Sequence, residues 1–187
     1  MNLLYLSTKD QVRYELKYPI IQTIIKTYEE TAKESYDYWF QMNSYKFLSG
    51  TEQDPNIVQE VVTEQFEFFS AIDKFIYTNK IIDELHIFSY GWEHGLKLIK
   101  DDVERNTIIT ANDFASWPNS YENKIKKIVL WANRCGRQIK KDQLCFAEDL
   151  SYNLKTIVEA SEKDIEPIFV QDKFVFNKLY FKTFKGV

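Results

Sequence analysis

Residues 81–99 read IIDELHIFSYGWEHGLKLI, from Ile81 to Ile99, and the period of the apolar residues in that stretch sets the expected fold class. Ile81, Leu85, Phe88, Trp92, Leu96 and Ile99 recur at steps of three and four, which predicts an amphipathic helix over about 80–101. Gly91 and Gly95 fall four apart on another face, where they would allow close helix approach or a kink.

The same period extends on both sides. Upstream, Ile21, Ile24, Ile25, Tyr28, Ala32, Trp39 and Met42 predict a long helix over 19–47, preceded by a short one capped near Ser7 and Asp10. Ser49-Gly50-Thr51 breaks the pattern, and Asp54-Pro55 opens a helix over 55–77 with Val58, Val61, Val62, Phe69, Ile72 and Ile76 on one face. Downstream, helices are expected over 119–135, stopped by Gly136, and over 143–160. After Pro167 the spacing of Phe174, Phe176, Tyr180 and Phe184 reads as strand-like, in an aromatic-rich segment 167–187. The expectation is an all-α fold: a single helical domain over 1–187, with six or so helices in a bundle or a short HEAT- or ARM-like stack, and a small β-like segment at its end.

A chain of 187 residues with 44% hydrophobic and 28% charged residues has ordinary globular composition and needs no metal or disulfide to build a core. Cys135 and Cys145 do not form a C-x-x-C pair. With no basic and apolar leader at Met1–Leu6 they read as free thiols of a reducing compartment. No apolar run approaches the roughly 20 residues of a membrane span. A cytoplasmic, soluble protein is expected.

Catalytic chemistry finds few side chains. Asp83 and His86 make one D-x-x-H pair of the kind that di-metal bundles use, but Gly91 stands where the second pair, to His94, needs a carboxylate. H-E-x-x-H, a Walker A loop and G-x-S-x-G are absent. His86, Tyr90, Glu93 and Lys97 would share a polar helix sector whose residue types suit proton transfer, but a solvated face with one Glu93–Lys97 pair is the favoured reading. No enzyme, cofactor or metal site is expected.

The net charge of −4 conceals strong segregation. Residues 28–73 hold ten acids against Lys33 and Lys46, and no basic residue lies between Lys46 and Lys74. On the predicted helices Glu30, Glu34 and Asp37, and then Glu60, Glu64 and Glu67, stand at i, i+4 and i+7 opposite the apolar stripes. Such ridges attract a cationic protein and speed its encounter, with Tyr36 or Phe66 as aromatic anchors. The opposite sign gathers at 122–141: Lys124, Lys126, Lys127, Arg134, Arg137, Lys140 and Lys141, with Trp131 among them, a pattern that can hold nucleic acid or pair with the acids of 142–172. The acidic ridges carry the expectation: a non-enzymatic binding protein that neutralises a basic partner, such as a nuclease toxin domain. In character it is similar to acidic immunity proteins, without a motif that carries a family. Nucleic-acid binding through 124–141 and a helical enzyme using the His86/Glu93 face are the alternatives; membrane binding is not expected.

Overall fold

The computed structural model describes residues 2–8, 57–98, 104–118, 120–140, 142–165, 167–170, 173–176 and 178–186. The all-α expectation is overturned, and with it the bundle and the HEAT- or ARM-like stack: the described residues form an α/β fold. Strands β1 (Leu3–Thr8), β2 (Ile57–Val62), β3 (Glu84–Phe88), β7 (Lys127–Trp131), β8 (Ile157–Ser161) and β11 (Phe181–Lys185) make one sheet in the order β11-β8-β7-β3-β1-β2. Its first five strands in the chain run parallel, and β11 lies antiparallel at the edge beside β8. A three-stranded ribbon joins β4 (Tyr90–Trp92), β5 (Gly95–Lys97) and β6 (Ile108–Ile109), and β9 (Pro167–Val170) pairs with β10 (Lys173–Phe176).

The helices of the described residues are α1 (Gln65–Asn79), α2 (Ala111–Ser116) and α3 (Phe146–Leu154). The steps β2 to β3, β3 to β7 and β7 to β8 all cross the sheet in one sense, so right-handed connections place their helices on one face. The packing agrees: Leu4, Leu6, Leu85, Ile87, Ile128, Leu130, Val158 and Ala160 share a buried cluster with Phe68, Phe69 and Ile72 of α1, Phe114 of α2, and Leu150 and Leu154 of α3. Rings knit the helices together: Phe69 stacks on Trp117 at 4.5 Å and meets Phe114 edge-on at 5.1 Å. The Trp117 indole and the Tyr121 hydroxyl both donate to Asp73, at 2.9 and 2.8 Å.

The misread central strands share one cause. A strand inside a parallel sheet is covered on both faces, so its apolar residues run on without alternation, and a short apolar run fits a helical stripe as well. Leu85, His86, Ile87 and Phe88 are all buried, as are Ile128 to Trp131. The segment 55–77 is strand to Val62 and helix only from Gln65. Gly91 and Gly95 belong to a ribbon, not to a helix–helix contact: a Cβ on Gly91 would lie 2.5 Å from the Asn133 carbonyl oxygen. The predicted helix 119–135 is replaced by β7 and its flanking turns. α3 stops at Lys155, which takes a left-handed φ of 49°, and β8 follows at once. The strand-like tail holds β9, β10 and β11. The predicted helix over 19–47 lies outside the described residues. Among the described residues no helix is long and apolar enough to cross a membrane.

Candidate functional site

Open α/β sheets bind their ligands beyond the carboxyl ends of the strands, which makes that edge the first place to look. Here the ends of β3 and β7 are closed by the ribbon. The Ser89 hydroxyl donates to the Lys97 carbonyl at 2.7 Å, the Asn133 side-chain oxygen accepts from the Ile165 N–H at 2.8 Å, and the Phe146 N–H donates to the Glu93 carbonyl at 2.7 Å. Cys135 lies under this joinery with no exposure, and burial pushes its thiol well above the ordinary value, so it is a packed thiol and not a nucleophile. In the sequence, β1 is followed by Lys9-Asp10-Gln11, without the glycines that cradle a phosphate.

His86 lies within β3 on the sheet face opposite the helices. The Trp131 indole N–H donates to His86 Nδ1 at 3.0 Å, which leaves the proton on Nε2, facing Glu84 Oε2 at 3.0 Å. Both ring nitrogens are therefore engaged within the protein. Burial lowers the imidazole to about 4 against the pull of Glu84, so it is neutral at pH 7. Glu84 and Glu159 flank Lys127 at 3.5 and 2.9 Å, and Lys178 completes the row at 2.6 Å from Glu159. These pairs cross strand boundaries from β3 to β8 and stitch the sheet. The polar sector expected of His86, Tyr90, Glu93 and Lys97 does not form: His86 is in β3, Tyr90 and Lys97 oppose each other in the ribbon, and Glu93 sits in its turn paired with Arg137 at 3.5 Å. Asp83 is held by Lys126 at 2.6 Å and by the Asn2 N–H at 2.7 Å, away from His86. Among the described residues no group of three or more acidic, histidine or cysteine side chains is placed to hold a metal ion.

The basic segment is largely spent on the protein's own carboxylates. Lys126 pairs with Asp83, Lys127 with Glu84 and Glu159, Arg134 with Asp164 and Arg137 with Glu93, while Trp131 is 2% exposed and cannot stack on a base.

Of the acidic residues singled out from sequence, Glu30, Glu34 and Asp37 lie outside the described residues. Glu60, Glu64 and Glu67 do not form one helical ridge: Glu60 is in edge strand β2, Glu64 caps α1, and Glu67 is in its first turn. The structure does bring Glu64 and Glu67 together at the start of α1. The Thr63 N–H and hydroxyl donate to Glu67 Oε2 at 2.8 and 3.0 Å and hold its carboxyl below the usual range, as suits an anion at a helix N-terminus. No ion pair of the described residues reaches Glu64 or Glu67.

Beside them Phe66 is 70% exposed, leaning on Trp117 with ring centres 6.5 Å apart, and Tyr77 at the other end of α1 is 82% exposed. Eleven residues make three turns, so the two rings share one outer stripe about 16 Å apart, while Phe68, Phe69, Ile72 and Phe75 bury the opposite side of the helix. Phe66 was singled out from the sequence because it stands among the acids, and the structure exposes it. Tyr77 was not singled out, although its i+11 spacing puts it on the same helical stripe as Phe66. Compared with known proteins, the chain matches no family model and no curated sequence.

Proposed function

We propose that the chain is a non-enzymatic binding protein that engages a basic protein through the outer stripe of α1. Glu64 and Glu67 supply the field, and Phe66 and Tyr77 supply the apolar contact. The observation that carries this reading is the exposure of Phe66 and Tyr77, 70% and 82%, on one stripe of a helix whose other side is buried. Two large rings in water on an otherwise ordinary amphipathic helix cost solvation that a partner recovers, and aromatic anchors beside unpaired charge make hot spots. Nuclease domains are a partner class of fitting chemistry, since a surface that binds polyanions is itself cationic. Two buried free thiols, Cys135 and Cys145, suit the reducing cytoplasm as the place of action.

The test is quantitative co-purification from the native cell. The wild-type chain is expected to retain a basic protein in stoichiometric amount, and F66A/Y77A and E64K/E67K are each expected to lose it by roughly tenfold or more, as hot-spot truncations do. Equal recovery with wild type and both variants, or no basic protein at all, would reject the reading.

A further inference from the structure

The carboxyl edge of the sheet carries a second surface of opposite character, three to five strand spacings or about 14 to 24 Å from β2, which leads into α1. Three segments meet there: the loop after β7, the turn after β8 and the turn before β11. Main-chain bonds tie them, with the Gly136 N–H on the Ser161 carbonyl at 2.8 Å, Arg134 N–H on Lys163 at 3.2 Å and Glu162 N–H on Tyr180 at 3.0 Å. On these tied segments stand Ile139 and Leu144, 54% and 44% exposed, and Leu179 and Tyr180, 69% and 44% exposed. Half of the large apolar residues exposed among the described ones therefore lie on these three segments.

Charge selects the occupant. Three carboxylates of the described residues near these turns already have cations: Glu93 has Arg137, Glu162 has Lys182 and Asp164 has Arg134. Lys140 and Lys163 are exposed and enter no ion pair of the described residues; Lys163 lies over the Tyr180 ring at 4.0 Å. Asp142 offsets one charge in the first loop. The surface is thus apolar tips set among cations. We infer that it docks an acidic peptide segment of a partner protein, whose carboxylates meet Lys140 and Lys163 and whose apolar side chains cover Ile139, Leu144 and Leu179.

A nucleic acid fits less well. Aliphatic tips offer no stacking platform, the Tyr180 face is occupied by Lys163, Trp131 is buried, and the chain as a whole carries −4. The surface shares no residue with the α1 stripe, so either can fail alone.

Selection of displayed random dodecapeptides on the purified chain, followed by anisotropy titration of the enriched peptides, tests the assignment. Enriched peptides are expected to be acidic with interspersed apolar residues, to bind about tenfold more weakly to K140E/K163E and to I139S/L179S, and to bind E64K/E67K unchanged. All the substituted side chains of the first two variants are exposed, so circular dichroism should match wild type. No enrichment, enrichment of basic peptides, unaltered affinity for K140E/K163E, or displacement of the peptide by oligothymidine would each overturn it.

Discussion

His86 shows how one side chain's surroundings decide its chemistry. Protonation would add a hydrogen on Nδ1, which faces the Trp131 indole N–H, and set two donors against each other. The unfolded chain takes up that proton near pH 6.5, while the folded chain resists it until about 4. The unfolded state therefore binds more protons in that window, and stability falls as pH drops through it, by roughly 3 kcal/mol in all. Urea unfolding between pH 7 and 5, above the main carboxylate range, should show this slope in wild type and a flatter one in His86→Gln; equal slopes would refute the assignment. Gly91 makes a steric counterpart. A methyl group there would meet the Asn133 carbonyl at 2.5 Å and Cys135 Sγ at 2.6 Å. Gly91→Ala should cost roughly 1–3 kcal/mol in the same measurement, the usual range for overpacking. Neither residue's role was visible in the sequence, because both depend on atoms more than 40 positions away.

At the level of elements, two helices begin with a threonine held by a carboxylate of the first turn, the N-cap Thr110 at α2 and Thr63, one residue before the N-cap, at α1. At α2 the Asp113 carboxylate accepts from the Thr110 N–H and hydroxyl, each at 2.7 Å, and from Arg105, and Asp113 is only 8% exposed. At α1 the exposed Glu67 does the same for Thr63. Removing a buried acceptor strands its donors, whereas water replaces an exposed one. Asp113→Ala should therefore cost about 1.5–3 kcal/mol and Glu67→Ala less than about 1 kcal/mol by chemical denaturation. If the two costs are equal, burial is not what sets them. The amphipathic faces of α1 and α3 were legible, since Phe69, Ile72 and Ile76, and Phe146, Leu150 and Leu154, keep a helical period. Their ends were not. No glycine marks them: Lys80 and Lys155 take positive φ, 67° and 49°, instead.

For the whole molecule, the sheet order predicts a gradient of local stability. β3 and β7 have a paired strand on each side, whereas among the described residues β2 and β11 each have a partner on one side only. Amide hydrogen exchange should be slowest for Leu85, Ile87, Ile128 and Leu130, and faster along Phe181–Lys185; the reverse order would contradict the topology. Composition and order along the chain determined by themselves that a globular core would form, that two thiols would stay free of a C-x-x-C motif, that charge would be segregated, and that Phe66 stands among uncompensated acids. Each of these depends on residue identity or near neighbours alone. Only the tertiary structure decided that Glu84–Phe88 and Lys127–Trp131 are strands, and that the lysines and arginines around β7 are committed to Asp83, Glu84, Glu93, Glu159 and Asp164. A helix closes its hydrogen bonds within four residues, but His86 lies opposite Tyr5 on one side and Val129 on the other. Burial on both faces erases the alternation that would have announced those strands, so their identity resides in partners far along the chain.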